Sequence, residues 1–354
     1  MGDAPVPPGH GRLRTQRNQS GGRCAIPECA GAYPLKLLRV DQRAFEISDS
    51  RAFDNGDQTD SKKAAVAVDS AMVYVLTYGG GVVSGDAVSL DVEVGDGTGL
   101  VLLSQGSTKI FKRRRDTTDN LSEVAWWTID CKVNPGGVLV VGMDPVAPFA
   151  GSLFRQHLKI TLANHTSGVV AIDWVTSGRG TRGERWAFNG YESKVELWLG
   201  ESSSLWCRES LVLGDESTKK SSAGAVHPTS YSTRLGFDLF ECFATIIIAG
   251  DPCTRVLEDV EGMWNDVLVG GGGVKDKRVE RNEVVWSASP LPRIYAPYRS
   301  PKSGEKLEPP APVPQIPGLV VRVAGKTPEV TRTFVKGTLL RSLDSVVGDW
   351  GSKA

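Results

Sequence analysis

Residues 87–94 alternate strictly. Val88, Leu90, Val92 and Val94 are apolar, and Ala87, Ser89, Asp91 and Glu93 stand between them. Side chains on a strand point to opposite faces in turn, so this stretch predicts a half-buried β-strand. Gly95–Gly99 turns the chain into an apolar run at Leu100–Ser104, and Asn134-Pro-Gly-Gly137 does the same between Ala125–Val133 and Val138–Gly142. Further strands are predicted at Phe154–Leu162, Val169–Thr176, Lys194–Leu199, Leu205–Leu213 and Leu319–Ala324. Short strands at regular spacing with turn residues between them make an all-β body. No repeat of fixed period selects between a sandwich and a solenoid-like stack.

Helical spacing enters late. Asp251 and Pro252 form a start signal ahead of Val256, Val260, Trp264, Val267 and Leu268, and Gly270–Gly273 ends the run. Thr327-Pro328-Glu329 opens a second helix with Val330, Phe334 and Leu340 inward, weakened by Gly337. Residues 1–32, rich in Gly, Pro and Arg, are expected to be a disordered tail. One β-rich domain then spans 33–343, interrupted by a polar loop at 217–233 and a proline-rich arm at 289–317, with a tail at 344–354.

Composition narrows the function. Lys+Arg and Asp+Glu both number 41, so the net charge is zero, and no basic excess points to nucleic acid. No apolar run is long enough to span a membrane as a helix. The six cysteines are scattered without a C-x-x-C pair, the pattern of reduced thiols in a cytosolic protein. The N-terminus lacks a signal-peptide core, and cytosol is the expected compartment.

Catalytic signatures are missing. The chain has no G-x-S-x-G, H-E-x-x-H or G-x-x-x-x-G-K-[ST], and its four histidines are not spaced as ligands. No catalytic residue and no stable metal site is therefore assigned. The densest polar segment is Asp173–Phe188, where Arg179, Arg182 and Arg185 lie among Asp173, Glu184 and two tryptophans. Charges beside tryptophans predict a partly buried network in which each charge needs a partner.

Four blocks resemble one family when taken in order: Gly79-Gly-Gly-Val-Val-Ser-Gly-Asp86, Ser104-Gln-Gly-Ser-Thr-Lys-Ile-Phe111, Asp144–Gln156 and Asp173–Phe188. Together they are similar to the urease accessory proteins of the UreD/UreH family, in a eukaryotic form. The resemblance implies a β-helical stack of sheets with a few helices. It also implies a non-catalytic role in a complex with a UreF-type adaptor, a UreG-type GTPase and apo-urease. That complex assists Ni²⁺ delivery, with an internal passage as the proposed route. Tyr78 departs from the proline common in bacterial members.

Handing on Ni²⁺ requires weak ligation, which carboxylates, carbonyls and water supply better than a His/Cys cage. The acids within the blocks are Glu184, Asp173, Asp86 and Asp144, and the first two are the leading candidates. Arg179, Arg182 and Arg185, with Lys109 and Thr108, would form the surrounding polar network, in which the arginines can equally neutralise the acids as structural ion pairs. Gly79, Gly80, Gly81 and Gly85 are expected to allow positive φ or close backbone approach. Two readings compete: Asp173 and Glu184 as the acid/base pair of a carbohydrate-active enzyme, or a β-rich interaction module without metal traffic.

Overall fold

The computed structural model describes residues 7–18, 22–40, 68–112, 124–200, 204–214, 239–270, 283–292 and 316–348. The chain opens with β1 (His10–Arg17), β2 (Cys24–Gly31) and β3 (Leu35–Arg39). It continues through β4 (Ser70–Thr77), β5 (Gly81–Val82), β6 (Ala87–Val94), β7 (Gly99–Leu103), β8 (Thr108–Ile110) and β9 (Ala125–Val133). Next come β10 (Val138–Val141), β11 (Val146–Pro148), β12 (Leu153–Leu162), β13 (Gly168–Thr176), β14 (Gly190–Leu199) and β15 (Ser204–Gly214). The last strands are β16 (Cys242–Ala249), β17 (Val284–Pro290) and β18 (Gly318–Gly325).

The pairing resolves the choice between sandwich and solenoid. β6, β9, β12 and β14 pair in parallel in one sheet, and β4, β7, β10 and β13 pair in parallel in the other. The short strands β5, β8 and β11 form a third parallel row beside them. The chain therefore winds through four stacked coils, each passing from the long strands of the eleven-stranded sheet, by way of the position of its short row, to the seven-stranded sheet. In the fourth coil, residues 177–189 occupy the place of the short strand.

Alternation then decides the core. Val88, Leu90, Val92 and Val94 of β6 and Ala125, Trp127, Ile129, Cys131 and Val133 of β9 all face inward and are buried between the sheets. Central strands of the eleven-stranded sheet are buried on both faces, so β7 is apolar at every position: Leu100 and Leu102 face the other sheet, and Val101 and Leu103 face the helices. Each such Val or Leu contributes about 1.5–3 kcal/mol. The helical layer is α1 (Thr254–Gly270), α2 (Pro328–Phe334) and the short α3 (Asp344–Val347).

Thr327 caps α2, its Oγ1 accepting from the Val330 amide at 3.2 Å, and Gly337 lies in a π-helical continuation at Val335–Leu339. Asp251 does not cap α1. It opens a 3₁₀ turn and binds His165 at 2.7 Å, and the α-helix begins at Thr254. The N-terminal segment expected to be disordered instead supplies β1 and β2. β1 pairs in parallel with β6, burying Leu13 and Thr15, because its alternation of small and apolar residues outweighs its Gly and Arg content. Residues 344–347 are helical rather than tail, with Val346 and Val347 buried. The 217–233 loop and most of the proline-rich arm lie outside the described residues, and the start of that arm is the end of β17. All six cysteines are free, and all but Cys29 are buried. Among the described residues no helix is long and apolar enough to cross a membrane.

Candidate functional site

The four sequence blocks occupy equivalent places in the coils: each carries the chain from the eleven-stranded sheet, by way of the short row, to the seven-stranded sheet. They stack as one edge of the solenoid. In the first block Gly79, Gly80 and Gly85 have φ of 81°, 73° and 86°, a region that other residues enter only with strain. Gly81 serves a different need, since a Cβ there would lie 2.2 Å from the Lys109 carbonyl oxygen of the next coil. Asp86 closes the following turn, its Oδ2 accepting from the Val83 amide at 2.9 Å.

The four candidate acids separate into distinct environments. Glu184 is ion-paired with Arg179: Arg179 Nε donates to Oε2 at 2.9 Å, Nη2 donates to Oε1, and the Ala150 amide donates to Oε2 at 3.1 Å. The Arg179 hydrogen bond, opposed by partial burial, holds the Glu184 carboxyl below its ordinary range. Arg179 also lies 4.1 Å above the Phe149 ring, so the pair fastens the fourth-coil loop onto the third. Arg185 pairs with Glu241, while Arg182 and Lys109 are exposed and Thr108 is half-buried. Asp144 is bound by Arg332 and, at 3.2 Å, by Lys336, whose ammonium also donates to the Gly142 carbonyl at 3.3 Å. Burial depresses the Lys336 pKa even though Asp144 opposes the shift.

Asp173 differs from the other three. It projects from β13 between the sheets, where Gln156 Nε2 and Ser193 Oγ each donate to its carboxylate at 2.5 Å. Gln156 Nε2 also reaches the Tyr191 hydroxyl at 3.1 Å and Ser193 Oγ at 2.9 Å. No cation faces Asp173 among the described residues, and burial raises its pKa to about 6 against those two hydrogen bonds. A pocket of about 40 Å³ opens beside it, lined by Trp127, Met143, Asp144, Gln156 and Trp174 among others. That volume takes about one or two water molecules. Asp173 and Asp144 thus share a pocket, and Glu184 does not line it. The acid/base pair considered for a carbohydrate-active enzyme is accordingly not assembled there. Among the described residues, no three of His, Cys, Asp and Glu come together as a group able to hold a metal ion.

Comparison with known sequences settles the lineage. The sequence profile described as UreD urease accessory protein matches residues 8–345. The chain belongs to the UreD family. It is 32% identical to urease accessory protein 4 of Cryptococcus neoformans var. grubii over 262 residues, covering 70% of this chain and 72% of that protein. It is 31% identical to urease accessory protein UreD of Sorangium cellulosum, covering 76% of this chain and 68% of that one. Urease accessory protein D of Arabidopsis thaliana is 32% identical over about half of each chain (52% and 54%). The UreD profile begins at residue 8, in keeping with β1 being part of the fold.

Some participants in this UreD chain escaped sequence reasoning. Gln156 lay inside a block but drew no attention, because an amide shows no chemistry until its partner is known. Ser193 and Tyr191 sit beyond the last block. Lys336 and Arg332 lie 192 and 188 residues from Asp144, and no local pattern joins positions so far apart.

Proposed function

We propose that this chain is a non-catalytic chaperone of urease maturation, acting in the cytoplasm with a UreF-type adaptor, a UreG-type GTPase and apo-urease. In that complex it assists delivery of Ni²⁺ to the urease active site. The ion is cargo, held in passing and not kept, and no tightly bound cofactor is needed. Membership of the UreD family supports the general role, and one observation supports the part played by metal: Asp173 is an interior carboxylate that no cation faces among the described residues, beside a pocket with room for water. Such an acid can offer oxygen ligation that is weak enough to release the ion. Asp144, already bound by Arg332 and Lys336, would serve only if that pairing opened, and the Arg179 pairing makes Glu184 a fastener.

The test is activation of apo-urease in a reconstituted mixture of adaptor, GTPase, nickel, bicarbonate and GTP. Activation is expected to depend on this chain and to fall about tenfold or more with Asp173→Asn while the complex still assembles. Equal activation without the chain would overturn the chaperone role. Full activation by Asp173→Asn would leave a scaffold that never touches the ion.

A further inference from the structure

The outer surface of the stacked blocks carries more than the loops need for folding. Contacts link neighbouring coils along it. Tyr33 and Tyr78 have ring centroids 5.5 Å apart, Gly81 abuts Phe111, Phe111 meets Phe149 edge-on at 5.4 Å, and Arg179 covers Phe149. Successive coils rise by about 4.8 Å, so the edge is a rigid ledge four coils long. Tyr33 and Tyr78 remain 71% and 54% exposed, unusual for large rings that a monomer has every reason to bury.

Its charge is also one-sided. Lys36, Lys109, Lys112 and Arg182 are exposed on or beside the ledge. Two acids there are ion-paired, Glu184 with Arg179 and Glu241 with Arg185, and Asp86, which accepts from the Val83 amide, sets one negative charge against the four exposed cations. A chain with zero net charge thus sets an excess of positive charge on the edge that, among the described residues, exposes Tyr33 and Tyr78. Tyrosine and cationic side chains on a preorganised surface are the materials of a protein interface, with the charges supplying steering and register.

We propose that this ledge is a docking surface for an acidic face of a folded protein partner. The proposal rests on the accessory role set out above and adds where and by what chemistry one component of that machinery is met. Nucleic acid is the less favoured occupant, because the chain as a whole has no basic excess and the ledge ends in neutral tyrosines.

The experiment compares the full wild-type chain with Lys109→Glu/Lys112→Glu/Arg182→Glu. A second triple variant, Lys132→Glu/Arg255→Glu/Arg341→Glu, makes the same charge change at exposed positions elsewhere. Each is titrated against apo-urease alone and against apo-urease with adaptor and GTPase, at about 0.05 and 0.5 M salt, where screening differs severalfold. Circular dichroism melting establishes that all three fold alike. The ledge variant is expected to weaken binding at least tenfold at low salt in one of the two arms, with a smaller effect at high salt, while the control variant binds like wild type. Equal weakening by both variants, or none by either, would overturn the ledge. Tight binding of the wild type to a 20-base-pair duplex, abolished by the ledge variant, would overturn it in favour of nucleic acid. If the wild type binds none of the proteins, the accessory role itself fails, an outcome distinct from loss confined to the ledge variant.

Discussion

The coils turn at two kinds of corner, and the two are built on opposite terms. Where β6, β9 and β12 pass to β7, β10 and β13, the chain uses turns of four or five residues, each closed on itself by a backbone hydrogen bond of 2.9–3.2 Å. These turns also bond to one another: the Gly97 amide to Pro135, Val138 to Thr98, and Gly168 to Gly137. A Cβ on Gly95 would lie 2.4 Å from the Thr15 carbonyl oxygen, so nothing larger fits. At the opposite corner the blocks are longer, a Cβ on Gly106 would meet nothing within 4 Å, and side-chain ion pairs add to the backbone pairing of β5, β8 and β11. One corner holds the coils together, and the other is free to carry chemistry. Identical-looking glycines therefore report different constraints: close packing at Gly95, as at Gly81, and backbone conformation at Gly106.

The sharpest way to break this contrast is to make the same substitution at both corners. Gly95→Ala should cost about 3 kcal/mol or more, since the obstacle is backbone that cannot move aside. Gly106→Ala, with φ of 77° but open space around it, should cost about 1 kcal/mol. Urea unfolding of the two variants measures the difference, and equal losses would mean that the corners are not distinct. Next in size, Asp144→Ala should destabilise by about 3 kcal/mol at neutral pH, because Arg332 and the buried Lys336 would both lose the carboxylate they share. A loss below about 1 kcal/mol would show that the C-terminal helices do not depend on this anchor.

The smallest effect has the opposite sign. Asp173 carries a folded-state pKa of about 6 against an ordinary 3.8, so folding disfavours its ionised form. Its cost is absent below the ordinary pKa, grows as pH rises through 4 to 6, and is complete above 6. Asp173→Asn should therefore stabilise the chain by about 1–2 kcal/mol at pH 7.5, with the gain fading towards pH 4. Glu196, on the outer face of the neighbouring strand β14, is the internal reference. Burial would raise its pKa, but hydrogen bonds from His157, Arg208 and Trp198 hold it near 2, so its contribution is complete above 4.5 and is lost as pH falls from there towards 2. Melting curves across pH 4–8 distinguish the two. A variant whose stability difference does not change with pH would remove Asp173 as a titrating group.

Much of the fold was legible because strands announce themselves by alternation and turns by glycine and asparagine. β6, β9, β12 and β13 fell close to where the pattern put them. The coiled arrangement was not legible, since it depends on which strands pair, and parallel partners lie roughly thirty to forty residues apart with unequal insertions. β5, β8 and β11 are two or three residues long, too short to show any period. β1 was hidden by a composition that resembles disorder, although its pairing with β6 spans some eighty residues. The candidate site was half legible. The four blocks gather at one edge of the molecule, and charge density singled out Asp173–Phe188 within them. Only coordinates could separate an acid clasped by arginine from one held by an amide and a hydroxyl.

A stack of parallel coils has, in principle, no reason to stop, since each coil offers the next a complete row of hydrogen-bonding groups. Here the growth is terminated in both directions. In the seven-stranded sheet the parallel rows run out into antiparallel neighbours, β1 to β2 on one side and β14 to β15 on the other. In the eleven-stranded sheet β3 and the β16–β18–β17 meander do the same. Reversing strand direction makes each rim a poor template for another copy. β1, β2 and β3 thus act as an end-stop on one side of a potentially polymerising architecture, and a chain without them would offer a bare parallel rim to a second copy.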